Sequence, residues 1–233
     1  MQVWVGTSGF SYPTWKGTFY PENLPNKKML SFYGSKFSTV EINSTFYRVP
    51  RESVLKTWAE AVPVGFRFAF KASRGITHFK RLKGAEDETQ YLVRTTATLA
   101  DRAGAILYQL PPNFKRHDER LSAFVDQLPN PGNSAFEFRH VSWFTTEVYD
   151  ILRSRNCSLC FAETDDGEDT PIVETADWGY LRLRKTGYSE EELETWADRV
   201  AACEWRHVYA FFKHEDTGAG AGFASRFAEF TTQ

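Results

Sequence analysis

The chain contains few cysteines, no long apolar run and no marked excess of charge of one sign, and each of these features argues against a class of protein. Three cysteines among 233 residues do not suit the disulfide framework of a small secreted domain. No run of about 18 apolar residues occurs, so no transmembrane helix is predicted. The first predicted strand follows Met1 and Gln2 directly, without the basic and apolar regions of a signal peptide. We therefore expect a cytoplasmic protein with no membrane partner.

The sequence also lacks the glycine fingerprints of nucleotide-binding proteins. Neither G-x-G-x-x-G nor a P-loop is present. The glycines of residues 218–222 lack that spacing, and we interpret them as a flexible loop, with a phosphate-binding loop as the alternative. Cys157 and Cys160 form a C-x-x-C pattern but enter a predicted buried strand, where their side chains face opposite ways. We interpret them as core residues rather than as a redox or zinc site.

A formal net charge of −2 gives no general indication of nucleic-acid binding, which would require a local basic patch. Aromatic residues, in contrast, are abundant, with 20 Phe, 10 Tyr and 7 Trp. They predict either a core of unusually large side chains or a surface on which sugars or bases stack.

Eight segments have the length and pattern of β-strands, and helical segments separate nearly all of them. The predicted strands are residues 3–7, the beginning of 39–50, 66–71, 105–110, 135–139, 158–162, 179–184 and 207–213. The predicted helices are residues 29–36, 51–62, a part of 86–103, 117–128, 145–155, one helix capped by Ser189 and Glu192, and 223–230. The acidic, glycine-containing stretch 163–169 predicts a weak or missing helix between the sixth and seventh strands.

This alternation of strands and helices predicts an α/β fold with parallel strands. Eight such units in 233 residues fit a compact (β/α)8 barrel of the TIM type, formed by residues 1–233 as a single domain. A doubly wound open sheet is the alternative, although that fold normally carries one of the nucleotide-binding turns that are missing here.

Polar and charged residues alternate with apolar residues on several predicted strands. On the second strand Val40 and Ile42 face one way, and Glu41 and Asn43 face the other. The apolar face must pack on the helices, and it comprises Val40, Ile42, Phe66, Phe68, Phe70, Phe136, Phe138, Leu181 and Leu183. The opposite face directs a polar set to the carboxyl end of the barrel interior: Glu41, Asn43, Lys71, Gln109, Glu137, Arg139, Arg182 and Lys213. Because burying unpaired charge is costly, this convergence predicts a functional centre, with a structural salt-bridge network as the alternative.

Loops after the strands add candidates at the same end of the barrel. They are His78, His140, Trp143, Thr164 and Asp165, together with the aromatic residues Trp15, Tyr20, Phe46 and Tyr47. Exposed aromatic rings beside charged groups suit a sugar or base next to an anionic group. A hydrophobic lid over the barrel is the alternative interpretation of these rings.

The charges at this predicted mouth favour a small anionic ligand, because the cations outnumber the carboxylates. Glu41 and Glu137 form a candidate acid–base pair if their environments separate their pKa values, and His140 is the third candidate catalytic residue. The candidate ligand-binding residues are Asn43, Tyr47, Lys71, Gln109, Arg139, Trp143, Asp165, Arg182 and Lys213. A metal site built from Glu41, Glu137, His140, His78 or Asp165 is a weaker alternative that no local spacing supports, and no cofactor is specified.

Several motifs also carry a family resemblance. They are Gly6-Thr7-Ser8-Gly9-Phe10-Ser11-Tyr12, Val40-Glu41-Ile42-Asn43-Ser44-Thr45-Phe46-Tyr47, Phe70-Lys71-Ala72, Gln109-Leu110-Pro111-Pro112 and Phe136-Glu137-Phe138-Arg139-His140 with Trp143. Their combination closely resembles the YecE-like family of uncharacterised bacterial and archaeal proteins. The resemblance implies a TIM-barrel-like fold and no activity, because that family is known as a domain of unknown function. The chain departs from the family pattern at Arg184, where His is usual, and at Lys213-His214-Glu215, where Asn residues are common.

These residues support three hypotheses about function. The first is an enzyme that uses acid–base chemistry on a small anionic, phosphorylated or sugar-like substrate at the mouth of the barrel. The second is a nucleic-acid-binding or nucleic-acid-processing protein in which Trp15, Tyr47 or Trp143 stacks on bases. The third is a non-catalytic ligand-binding or interaction protein, which the departures at Arg184 and Lys213 favour.

Overall fold

Eight parallel strands and the helices between them form a barrel in the computed structural model, which describes residues 1–163, 165, 170–213 and 217–231. The strands are β1 (Gln2–Thr7), β2 (Thr39–Ile42), β3 (Arg67–Lys71), β4 (Ala103–Gln109), β5 (Ser134–Glu137), β6 (Ser158–Glu163), β7 (Trp178–Leu183) and β8 (His207–Phe212). The α-helices are α1 (Met29–Gly34), α2 (Glu52–Ala61), α3 (Glu86–Thr96), α4 (Asp118–Gln127), α5 (Thr146–Arg153), α6 (Glu190–Ala201) and α7 (Ala219–Thr231). The predicted mouth residue Thr164 lies outside the described residues, as do His214 and Glu215 of the segment that departs from the family pattern.

The strands follow one another around the barrel in the order β1-β8-β7-β6-β5-β4-β3-β2, and all the pairs are parallel. A bridge between Ser8 and Glu41 joins the two ends of this sheet. The predicted TIM-type barrel is therefore confirmed, and the open sheet is not formed. Between β6 and β7 the described residues, 165 and 170–177, contain no helix; of the stretch 163–169 on which the prediction rests, residues 164 and 166–169 lie outside the described residues. Among the described residues, every helix is too short or too polar to span a bilayer.

Side chains, rather than a regular ladder of backbone hydrogen bonds, close the seam between β1 and β2. The Tyr33 hydroxyl, from α1, accepts a hydrogen bond from the Thr7 amide at 2.7 Å and donates one to the Thr39 carbonyl at 3.0 Å. The two strands approach closely at Gly6, where a Cβ atom would lie 2.0 Å from the Thr39 oxygen. The glycine therefore permits a close approach that the Tyr33 hydroxyl then bridges.

Replacing Tyr33 with phenylalanine is expected to destabilise the barrel by about 1–3 kcal/mol, because a buried amide and a buried carbonyl both lose their partner. Urea unfolding followed by circular dichroism measures the effect. Tyr91→Phe is the matched control, since that tyrosine is 48% exposed on α3. Equal unfolding midpoints for the two variants would show that the seam does not depend on the Tyr33 hydroxyl.

The core has an inner and an outer layer, which confirms the predicted alternation. The inner layer fills the barrel and comprises Ala69, Ala105, Leu107, Ala135, Cys160, Trp178, Tyr180, Tyr209 and Phe211. All the residues predicted to face the helices are buried in the outer layer.

Cys157 belongs to the outer layer and Cys160 to the inner layer. Burial raises the pKa of Cys157 to about 12 and that of Cys160 well above its ordinary value. Both thiols are therefore protonated core groups, as predicted.

Two predictions about loops are wrong. The glycine-rich residues 218–222 are not a flexible loop, because α7 already begins at Ala219. Gly220 lies against the end of β8, where a Cβ atom would be 2.0 Å from the Lys213 carbonyl oxygen. Trp15 and Tyr20 are not exposed at the mouth but buried, at 0% and 1% exposure, where their rings stack on each other. Both residues belong to the hydrophobic packing, which agrees with the alternative interpretation of these rings.

Candidate functional site

Three charged side chains from three non-adjacent strands meet inside the carboxyl end of the barrel. Arg182 of β7 donates from Nη2 to Glu41 Oε1 of β2 at 2.9 Å. The same guanidinium donates from Nη1 to Glu137 Oε2 of β5 at 2.6 Å. The exposed fractions of Glu41, Glu137 and Arg182 are 0%, 2% and 3%. One arginine thus links two buried carboxylates across the interior, an arrangement we call the Arg182 bridge.

Neutral polar groups complete the bonding of both carboxylates. Glu41 Oε1 accepts hydrogen bonds from Ser8 Oγ at 2.9 Å and from Asn43 Nδ2 at 3.0 Å, and its Oε2 accepts one from the Tyr180 hydroxyl at 2.8 Å. Glu137 Oε1 accepts a hydrogen bond from Gln109 Nε2 at 2.8 Å. Each carboxylate oxygen therefore has at least one donor, which compensates for the loss of water around it.

The two carboxylates are held ionised rather than divided into an acid and a base. Burial alone would raise the pKa of Glu41, but the charge of Arg182 and hydrogen bonds from Tyr180, Arg182 and Ser8 lower it below its ordinary value. Burial acts in the same direction on Glu137, and Arg182 again lowers its pKa below the ordinary value. Both groups are therefore held as carboxylates, so neither is a ready proton donor, and the lowered pKa also makes each a weak base.

A second, partly exposed layer of cations lies nearer the solvent. Lys71 ends β3, and Arg184 follows β7 by one residue; both are half-buried. Arg139 follows β5, and its Nε lies 3.9 Å from Glu137 Oε1 with 43% of its side chain exposed. Burial, followed by the charge of Arg182, lowers the pKa of Arg184, and the two carboxylates oppose that shift. These electrostatic effects indicate that Arg184 lies near the Arg182 bridge. We call Lys71, Arg139 and Arg184 the outer cations.

At this end of the barrel, Lys71 has a pKa that is shifted from its ordinary value toward neutral pH. Burial, followed by the charge of Arg182, lowers the pKa of Lys71 to about 8, although Glu137 and Glu41 act in the opposite direction. Its Nζ lies 4.3 Å from the centroid of the Phe46 ring. His78 is close enough that burial and the charges of Lys71 and Arg139 lower its pKa. A lysine with this pKa loses its proton far more readily near neutral pH than an ordinary lysine and can exchange protons there.

The other predicted candidates do not join the Arg182 bridge. Trp143 is fully buried: its ring stacks on Phe138 at 4.7 Å and its Nε1 donates to the Phe114 carbonyl at 2.7 Å, so no face remains for a ligand. His140 Nδ1 pairs with Ser142 at 2.9 Å. Asp165 accepts a hydrogen bond from the Thr186 amide at 2.9 Å.

Two further candidates lie at the edge of the mouth. Tyr47 is 71% exposed, and Lys213 is half-buried at the end of β8. Aromatic and polar loop residues have no strand periodicity, which is why spacing alone does not separate Trp143 from Tyr47.

The prediction from alternation misses Ser8 and Tyr180, which both donate to Glu41. Tyr180 lies two residues before Arg182 on β7, so the same alternation that directs Arg182 inward also directs Tyr180 inward. Ser8 follows β1 in a glycine-containing segment, where its direction cannot be obtained from a period-two pattern.

A metal centre finds no support among the described residues, because no three of their His, Cys, Asp and Glu side chains lie together as ligands. Glu41 and Glu137 are each bonded to Arg182, while His140 and Asp165 bond to neighbouring loop residues. These four candidate ligands are thus committed to other partners.

Comparison with known proteins agrees with this architecture. Over 144 residues, 61% of this chain, the sequence is 33% identical to the UPF0759 protein YecE of Escherichia coli K12, and the match spans only 50% of that relative's length. The UPF0759 protein YunF of Bacillus subtilis 168 is 26% identical over 227 residues, 91% of this chain and 78% of YunF. A crystal structure of a DUF72 family protein from Thermotoga maritima MSB8 is 28% identical and superimposes with a TM-score of 0.87 over 100% of both chains.

A family model described as "Protein of unknown function DUF72" matches residues 4–233. This match covers nearly the whole chain, including the strands that carry the Arg182 bridge and the outer cations. The chain therefore belongs to the DUF72 family.

Proposed function

We propose that this protein is an enzyme that binds a small anionic, phosphorylated or sugar-like substrate at the carboxyl end of the barrel and acts on it by acid–base chemistry. The observation that carries the proposal is the layering of charge at this end. The Arg182 bridge leaves two carboxylates and one arginine in the buried layer, while Lys71, Arg139 and Arg184 lie above it and reach solvent. An anion that enters the mouth would meet cations first, which favours binding.

We assign different roles to the two layers. Arg184 and Arg139 bind the anionic group, because a guanidinium offers a planar pair of donors that matches phosphate or carboxylate oxygens. Lys71 transfers the proton, since its pKa of about 8 makes both of its protonation states accessible near neutral pH. Glu41 and Glu137 position Arg182, and Gln109 and Asn43 orient the two carboxylates. His140 is assigned no catalytic role, because its hydrogen bonds join it to Ser142 in its own loop and not to the Arg182 bridge.

Binding of inorganic phosphate tests the first part of this proposal. Isothermal titration calorimetry should detect phosphate binding to the unmodified protein, and Arg184→Gln should weaken it by about tenfold to a hundredfold, the usual effect of losing one charged hydrogen bond. Arg94→Gln is the matched control, because Arg94 is an exposed arginine on α3. Equal affinities for the two variants, or no phosphate binding to the unmodified protein, would contradict the assigned anion site.

A second candidate function, nucleic-acid binding, is favoured by one exposed cluster beside the mouth. The Arg74 guanidinium lies 5.6 Å from the ring centroid of Tyr47 and 5.3 Å from that of Phe79, and both rings are 71% exposed. Exposed rings with a cation between them suit base stacking and phosphate contact. Salt-sensitive binding of single-stranded DNA or RNA that Tyr47→Ala weakens, and Tyr91→Ala does not, would favour this function over the first.

A further inference from the structure

A cavity of about 580 Å³ opens beside the mouth, outside the Arg182 bridge and the outer cations. It lies between the loop that follows β1, the end of β2 and helices α1 and α2. Its walls are mainly apolar, and they include Phe10, Tyr12, Leu30, Ile42, Trp58 and Ala61. A volume of this size is typical of a small-molecule site, and such a lining favours an aromatic or aliphatic group over a sugar or a bare ion.

This cavity shares two walls with the Arg182 bridge. Asn43 lines it and donates from Nδ2 to Glu41 Oε1 at 3.0 Å. Tyr12 also lines it, and its hydroxyl donates to the Ser8 carbonyl at 2.8 Å, while Ser8 Oγ donates to Glu41. A ligand in the cavity would therefore be separated from the charged centre by a single side chain.

The Asn43 carboxamide also offers an unused acceptor at this boundary. Its Oδ1 is buried, and no donor in the described part of the chain bonds to it. Buried side-chain oxygens without a partner are uncommon in folded proteins. A hydroxyl or amine on a bound ligand would reach this oxygen only after the carboxamide turns toward the cavity.

We infer that the cavity binds an apolar substituent, aromatic or short aliphatic, of the same substrate whose anionic group occupies the mouth. This inference rests on the proposed function and narrows its substrate class to amphipathic anions. The narrow separation at Asn43 and Tyr12 argues for one ligand whose two ends occupy the two regions rather than for two separate ligands. A sugar phosphate without an apolar substituent would leave the cavity unfilled.

Three probes test the inference by calorimetry: inorganic phosphate, benzyl phosphate and benzyl alcohol. Benzyl phosphate is expected to bind at least about tenfold more tightly than phosphate, because it buries its ring in the cavity. Ala61→Trp should fill the cavity and reduce that difference to less than about twofold while phosphate binding persists. Glu60→Trp is the matched control, since it places the same side chain at an exposed position of the same helix outside the lining. Thr57→Trp, at an exposed lining residue, serves as the second blocking variant if Ala61→Trp does not fold.

The outcomes separate this inference from the proposed function. If phosphate and benzyl phosphate bind equally well, the cavity is not part of the substrate site, and the inference is overturned while the anion site stands. If neither anion binds but benzyl alcohol does, and Ala61→Trp abolishes its binding, the proposed function fails and one shared substrate is excluded. Loss of the benzyl advantage in Glu60→Trp as well as in Ala61→Trp would also overturn the inference.

Discussion

Replacement of Arg182 with methionine is expected to lower the free energy of unfolding by about 3–5 kcal/mol, the largest effect that we expect from a single substitution in this chain. The methionine side chain resembles the aliphatic part of arginine in shape, so the loss of stability arises mainly from the missing charge. Glu41 and Glu137 would remain in the interior without the cation that now bonds to both of them. Chemical unfolding at neutral pH measures the loss, and Arg94→Met, at an exposed position of α3, is the control.

The pH dependence of this variant supplies an independent check of the cause. In the unmodified protein the pKa values of Glu41 and Glu137 lie below the ordinary value of 4.5, so their contribution to stability is complete above that pH and is lost as the pH falls through the folded-state values. Without Arg182, burial should raise both pKa values, so that the folded state binds more protons than the unfolded state. The free energy of unfolding of the variant should therefore fall as the pH rises from about 5 to about 7. In the unmodified protein, these two groups cause no such change over the same interval.

Neutralising the carboxylates should rescue the Arg182 variant. In the triple variant Arg182→Met, Glu41→Gln, Glu137→Gln no ionised group remains in the buried layer, and we expect most of the lost stability to return. A triple variant as unstable as Arg182→Met alone would mean that lost packing, rather than uncompensated charge, causes the effect.

Replacement of Lys71 with methionine is expected to reduce turnover by about a hundredfold to ten-thousandfold, the usual contribution of a positioned proton-transfer group. Incorporation of deuterium from D2O into a panel of sugar phosphates and aryl-substituted phosphates, followed by NMR, measures proton transfer even when the product is unidentified. Lys56→Met, on the exposed face of α2, is the control. If the unmodified protein binds anions but exchanges no carbon-bound proton in any of them, the proton transfer at carbon assigned to Lys71 is contradicted.

The same substitution should increase stability while it removes activity. The pKa of Lys71 falls from an ordinary 10.5 to about 8 in the folded protein, so the folded state binds this proton more weakly than the unfolded state. The resulting destabilisation is present in full below pH 8 and disappears as the pH rises to 10.5. Because Lys71 is partly exposed, we expect Lys71→Met to gain about 1 kcal/mol at neutral pH, less than the full shift would give. Unfolding measured on both sides of this interval tests the gain, and a variant less stable than the unmodified protein would contradict it.

Strand periodicity predicts the interior of the barrel well because a period of two leaves each side chain only two directions. It assigns Glu41, Gln109, Glu137 and Arg182 to the interior, and the structure has all four there. The pairing of one arginine with two carboxylates does not follow from the pattern, because it depends on side-chain reach across the barrel. The pKa of Lys71 depends on the same three-dimensional contacts.

Loop residues are predicted less well, for a physical reason. Trp143 and Trp15 follow strands in segments without a fixed period, and an aromatic ring in such a segment can either fold onto the core or face solvent. Both are fully buried, whereas Tyr47, in a similar position, is 71% exposed. Trp143 and Trp15 therefore add to the packing of the core. The sequence pattern alone does not distinguish such rings from rings that form a ligand-binding surface.

The closure of the barrel at the β1–β2 seam has a consequence for how the molecule opens. Along β1 and β8 a continuous ladder protects the amides, but the Thr7 amide is bonded to a tyrosine hydroxyl from α1 instead of to the neighbouring strand. A fluctuation that moves α1 away therefore removes the Tyr33 hydrogen bonds from this seam, while the Ser8–Glu41 bridge and the ladders of the other strands remain. Hydrogen exchange at Thr7 should consequently follow the undocking of α1, and its rate reports how often the Tyr33 hydroxyl leaves the seam.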